Sequence, residues 1–123
     1  MKFRSALIAA LCVSQVSILA YAEDWPPIKV PADPYARYKV IDVKQRPDGM
    51  YEITTERRGK SGTSYSKRLV DCINKQAKYL GDGDTLKEME ASKESPRMGP
   101  LISGSSTHTA AMYACKYGRK LRK

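Results

Sequence analysis

Between Tyr38 and Cys72 apolar or β-branched positions alternate with polar ones at a period of two, interrupted twice by turn chemistry. Tyr38-Lys39-Val40-Ile41-Asp42-Val43-Lys44 is rich in β-branched residues and runs into Arg46-Pro47-Asp48-Gly49, so it reads as a strand entering a hairpin. Beyond that turn, Met50–Arg57 places Tyr51, Ile53 and Thr55 on one face and Glu52, Thr54 and Glu56 on the other. The first face is expected in the core and the second in water. Gly59-Lys60-Ser61-Gly62 is a second turn, and Thr63–Cys72 regains strand character with Tyr65, Leu69 and Val70 as its apolar members. Three strands joined in this way form a β-meander.

Further along, a fourth strand is expected at Ala77–Leu80 and a fifth at Thr85–Met89. They flank Gly81-Asp82-Gly83-Asp84, whose two glycines permit the positive φ angles of a tight hairpin. Leu86–Glu90 also suits a short helix. Residues 92–104 hold Ser92, Ser95, Pro96, Gly99, Pro100, Ser103 and Gly104 and read as a loop. From Ser106 to Tyr117 a capping hydroxyl precedes an alanine-rich run, with Gly118 where a helix would stop. Helical spacing puts Ala111, Met112 and Cys115 on one side and turns Cys115 toward the sheet. The expected fold class is α+β, an antiparallel meander of five or six strands with one C-terminal helix.

The ends of the chain follow different rules. Lys2 and Arg4, the apolar stretch Ala6–Ala20 and the small-residue site Ala20-Tyr21-Ala22 have the order of a cleaved export signal covering residues 1–22. The apolar stretch falls short of the roughly 20 residues that cross a bilayer, and nothing later in the chain is a second candidate, so no transmembrane segment is expected after cleavage. Cys12 follows the bulky Leu11, which does not suit a lipoprotein signal. Residues 23–34 carry Pro26, Pro27, Pro31 and Pro34 and are expected to be extended, with an edge strand near Ile28–Val30 and Trp25 packing over one end of the core. Residues 35–118 then form one α+β domain, a size that supports one hydrophobic core, and 119–123 a basic tail.

Export changes the cysteine and charge arithmetic. Of the three cysteines the leader takes Cys12 and leaves Cys72 and Cys115, an even pair in an oxidising compartment. A disulfide between them, tying helix to sheet, is expected. Closing a loop of roughly 40 residues is worth about 4 kcal/mol in the chain-entropy account. The formal net charge of +9 falls to +7 once Lys2 and Arg4 leave with the leader. An exported cation meets lipopolysaccharide, anionic lipid or acidic glycans, whereas specific nucleic-acid recognition does not suit this location.

The chain is poor in catalytic chemistry. It has one histidine, His108, set among hydroxyls at the start of the expected helix, where an exposed or capping role accounts for it. One histidine and two cysteines already committed to each other cannot supply the three or four ligands of a zinc site. Asp82 and Asp84 lack the ligand ladder of a calcium loop and belong to a turn. No cofactor and no enzymatic activity are expected. Cations are the feature that stands out: Arg57, Arg58 and Lys60 lead into the second turn, Lys67 and Arg68 follow it, and Lys116, Arg119, Lys120, Arg122 and Lys123 crowd the C-terminus. Tyr65, Tyr113 and Tyr117 are interleaved with them, a mixture able to engage phosphates or sulfates and to stack on sugars. The bland account is a solvated face, and the tail also complements the negative end of its own helix.

Arg46-Pro47-Asp48-Gly49, the run Tyr65–Cys72, Lys78-Tyr79-Leu80-Gly81, Met98-Gly99-Pro100, Ser103-Gly104-Ser105 and Ala114-Cys115 together resemble the surface-adhesin E family of Gram-negative bacteria, over roughly Tyr38 to Lys116. The resemblance implies a curved antiparallel sheet with a C-terminal helix tethered to it by a disulfide. It also implies a non-enzymatic surface protein that binds host matrix and serum proteins such as vitronectin, laminin and plasminogen. The best-studied member is anchored at the outer surface, and this chain departs from it in lacking a lipoprotein cysteine. The expected function is therefore exported binding of a matrix or serum protein, an anionic glycan or lipopolysaccharide, in the periplasm or at the cell surface. The alternative is a periplasmic accessory or inhibitor protein that docks on an envelope protein through a sheet edge or the turn at Gly59–Gly62.

Overall fold

The period-two alternation of the sequence is realised as a single antiparallel sheet. A computed structural model describes residues 27–121, with side chains described through Gly118. The leader, Trp25 and Pro26, and Arg122 and Lys123 lie outside the described residues. Among the described residues six strands follow one another in sheet order: β1 (Pro27–Ile28), β2 (Arg37–Gln45), β3 (Tyr51–Gly59), β4 (Gly62–Asp71), β5 (Gln76–Gly83) and β6 (Gly99–Pro100). Helix α1 (Leu86–Ala91) stands between β5 and β6, and α2 (Ser106–Leu121) ends the described chain.

The turns are held by the chemistry that announces them. Gly49 takes φ +92°, and the Asp48 carboxylate accepts the Met50 N–H at 2.9 Å, closing the first turn. Gly62 takes φ +120° opposite Gly59, leaving Lys60 and Ser61 as a two-residue loop. The β4–β5 turn is organised by Asp71, whose carboxylate accepts from the backbone of Asn74 and Ile73 and from the Asn74 side chain. Those bonds, the one from the Asn74 backbone first, hold the Asp71 carboxyl below its usual range.

Helix α2 covers the face of Val40, Val43, Tyr51, Ile53, Val70 and Ala77, which with Ala110, Ala111 and Ala114 forms the core. The helix presents small residues at four-residue spacing, Ala110, Ala114 and Gly118, all buried. Met112, expected on this side, is 53% exposed; it lies two residues from both Ala110 and Ala114, on the outer side of the helix. Nor does Gly118 end the helix, which runs on to Leu121. A Cβ at position 118 would overlap the Tyr51 ring, so the glycine serves close approach. Cys72 and Cys115 are joined, with their Cα atoms 5.7 Å apart, and the disulfide ties the end of β4 to α2.

The opposite face departs from the expected wet surface. Thr54 and Glu56 are both buried. Thr54 shares a recess with Leu86 and Met89 of α1, and Glu56 lies beneath Arg58 and Tyr65, which both donate to its carboxylate. The stretch Thr85–Met89, read as a fifth strand with a short helix at Leu86–Glu90 as the alternative, takes the alternative and forms this helix α1. Thr85 Oγ1 accepts the Glu88 N–H at 3.0 Å and the Glu88 carboxylate accepts the Asp84 N–H at 2.9 Å, an N-terminal cap that the Thr-x-x-Glu spacing encodes. Gly81 and Gly83 stay in β5 and form no hairpin. A Cβ on Gly83 would stand 2.6 Å from Glu88 Cβ, and one on Gly81 would overlap the Met89 carbonyl, so both glycines make room for α1. Within the loop expected at 92–104, Gly99 and Pro100 pair with Ala77 and Gln76 as a short edge strand.

Candidate functional site

The cations singled out around the second turn and at the C-terminus meet different fates. Arg57 Nε donates to Asp33 at 2.7 Å and Tyr38 Oη donates to the same carboxylate at 2.8 Å. This triad fastens residues 31–36 across the far end of the core face. The Arg57 and Tyr38 bonds hold the Asp33 carboxyl below its ordinary range. Arg58 Nε donates to Glu56 at 3.1 Å, although most of its side chain stays in solvent. Lys67 Nζ pairs with Glu90 of α1 at 2.7 Å. Solvent-exposed pairs of this kind contribute about 0–1 kcal/mol, and they also spend charge that a ligand would need. Lys60, on the β3–β4 loop, and Lys116, on α2, are exposed and enter no ion pair among the described residues. Arg119 and Lys120 continue the helix beyond Gly118, and their side chains are not described. Among the described side chains, the cations around the second turn are therefore divided between ion pairs and open solvent.

Arg68 corrects the expectation most sharply. It is 2% exposed and cannot belong to a surface patch. Parity explains why: Arg68 pairs with Ile53, two residues from Val70 along β4, and so points beneath α2. Its Nη1 donates to Thr55 Oγ1 at 2.9 Å, its Nε to Thr107 Oγ1 at 3.1 Å, and its Nη2 to Ser106 Oγ at 3.2 Å and Tyr79 Oη at 3.3 Å. The guanidinium also lies 4.9 Å from the centre of the Tyr79 ring. Burial alone pushes the Tyr79 phenol up, but the Arg68 charge and the surrounding hydroxyls leave it below its ordinary value.

Among the tyrosines interleaved with cations, Tyr113 and Tyr117 stack on each other with ring centres 4.4 Å apart, and Tyr65 donates to Glu56. His108 lies in the first turn of α2, where its backbone N–H donates to Ser105 Oγ at 3.0 Å. No group of three or more metal-ligating side chains occurs among the described residues. None of the described helices is long and apolar enough to cross a membrane.

A groove of about 960 Å³ runs along the β1–β2 end of the sheet. Its walls are Pro27, Ile28, Val30, Pro34 and Tyr38, and Lys29, Arg37, Lys39 and Arg58 stand around it with Asp33 and Glu56. Neither the groove nor the Arg68 cluster is among the sites expected from sequence. The groove depends on how the proline-rich segment lies against the sheet, and only the strand parity of Arg68 signalled the cluster. No family model, curated protein or solved structure matches the chain.

Proposed function

We propose that this chain is an exported, non-enzymatic binding protein of the surface-adhesin E type, whose ligand is a host matrix or serum protein or an anionic polymer. The observation that carries the reading is the Cys72–Cys115 bond joining a C-terminal helix to an antiparallel meander, the architecture that the resemblance implies. The binding surface is drawn more narrowly than the cation count suggests. Lys60 and Lys116 face solvent without a paired acid among the described residues, and Arg58 keeps 67% of its side chain exposed beside the groove. Arg57 and Lys67 serve the fold through Asp33 and Glu90, and Arg68 is withdrawn from the surface altogether.

A second reading draws on one specific observation. Strand β1 pairs only with Tyr38 and Lys39, so the outer edge of β2 from Val40 to Gln45 has no strand beside it among the described residues. An envelope partner that adds a strand there would bind through main-chain hydrogen bonds and apolar pockets.

Two captures separate the readings. The mature chain is immobilised and exposed first to a panel of vitronectin, laminin, plasminogen and heparin, then to an envelope extract. Capture from the panel that fades as salt rises supports the adhesin-like reading. Capture of one envelope protein that persists at high salt supports the second and displaces the first.

A further inference from the structure

Arg68 is a cation with no carboxylate partner among the described residues. Burying an ion is costly, and an opposite charge is the usual compensation. Among the described residues the hydrogen bonds of the guanidinium all go to hydroxyls: Thr55, Tyr79, Ser106 and Thr107 accept from it. A hydroxyl that accepts retains a proton to donate. Thr107 passes its proton to Tyr79 Oη at 3.4 Å and the Ser106 hydroxyl leans on the same oxygen, whereas the proton of Tyr79 has no acceptor among the described residues. Tyr79 is 36% exposed, and Ser106 and Thr107 are partly exposed, so the outer side of the cluster reaches solvent.

The main chain adds donors of the same kind. Ser105 caps α2 by accepting the His108 N–H, while the N–H groups of Ser106 and Thr107 find no acceptor among the described residues. They open a 16-residue helix whose N-terminus carries a partial positive charge. The cluster thus combines an uncompensated buried charge, an outward hydroxyl donor and two open amides.

We infer that the solvent-facing surface formed by Tyr79, Ser106 and Thr107, backed by the Arg68 guanidinium, is a binding site for a sulfate or phosphate oxyanion. The anion accepts from the Tyr79 hydroxyl and from the Ser106 and Thr107 amides, and Arg68 supplies the charge from behind the hydroxyl layer. This site is separate from Lys60 and Lys116 and does not depend on their binding a polymer. The same group can arrive as a free ion or as a sulfate ester on a glycan.

The test is an amide-resolved NMR titration of the mature, oxidised chain with sodium sulfate, sodium phosphate and a heparin-derived tetrasaccharide, each against sodium chloride at constant ionic strength. Saturable shifts confined to Ser106, Thr107 and their neighbours support the site. Saturation by the free anions alone assigns a small ion, and saturation by the tetrasaccharide at the same amides assigns a sulfate ester. Tyr79→Phe removes one donor to the anion and weakens the affinity about 10-fold, the effect of losing a charge-assisted hydrogen bond. Arg68→Met removes the charge and abolishes saturation. Should Arg68→Met fail to fold, Tyr79→Phe decides. Shifts that are linear and spread over the surface, or an affinity unchanged in Tyr79→Phe, overturn the inference.

Discussion

The ring of Tyr51 on β3 occupies the space that a side chain on Gly118 of α2 would need. In an exposed helix, replacing glycine with alanine stabilises by about 1 kcal/mol. Gly118→Ala in this chain is expected to do the opposite, because the added methyl pushes the helix or the Tyr51 ring out of place, a kind of overpacking that costs about 1–3 kcal/mol. Denaturant unfolding of the oxidised protein checks it. A stabilised Gly118→Ala variant would show that the two elements do not meet there.

The staple at the other end of that interface predicts a larger effect. Cys72 and Cys115 are 43 positions apart, and a loop of that length lowers the entropy of the unfolded chain by an amount worth about 4 kcal/mol. The Cys72→Ser, Cys115→Ser double variant, or the reduced wild type, is expected to lose roughly that much stability in denaturant unfolding. Titration of native protein with a thiol reagent is expected to find no free thiol at either position.

Asp33 gives the fold a defined acid limb. Its carboxyl is held down by Arg57 first and Tyr38 second, so the folded state binds a proton less readily than the unfolded one. A depressed carboxylate contributes stability that is present above its unfolded pKa of about 3.9 and is lost as pH falls through the lower folded value. Wild type is therefore expected to lose more stability than Asp33→Asn as pH drops from about 5 to below 3. Parallel acid limbs for the two proteins would remove the triad from the account.

Arg68 separates charge from packing. Arg68→Ala empties a buried site and strands four hydroxyls that accept from the guanidinium, a loss expected near 3–5 kcal/mol. Arg68→Met keeps most of the volume and removes a buried charge that has no counter-ion among the described residues, so it is expected to cost much less. Exchanging buried ions for apolar groups of similar size is often neutral or stabilising. Thermal and denaturant unfolding of the two variants compare them directly, and equal losses would mean that the charge itself holds the fold.

These relationships were legible in the sequence to different depths. Alternation from Tyr38 to Cys72, with Asp48-Gly49 and Gly59–Gly62 as turns, was sufficient for the meander, because period two and turn chemistry are local signals. Thr85 and Glu88 carry an equally local signal, the spacing of a capping box, which decides for α1 where strand and short helix both suit the pattern. Gly81, Gly83 and Gly118 were misread for a common reason: each stands at a tertiary approach, and sequence does not distinguish a glycine that bends the chain from one that admits a neighbour. Arg68 looked like its neighbours Lys67 and Arg58, yet its parity with Val70 turns it inward. The pairing of Arg57 with Asp33 spans 24 positions and has no sequence signal at all.

The reading as a binding protein is tested most directly by the salt dependence of heparin affinity in wild type and in the Lys60→Ala, Lys116→Ala double variant. Exposed charges are screened within about 8 Å at physiological ionic strength. The account predicts saturable binding by wild type that weakens steeply as salt rises, with a shallower slope and lower affinity in the double variant. No saturable binding to heparin or to any matrix protein, or equal affinity and slope in the two proteins, would contradict it.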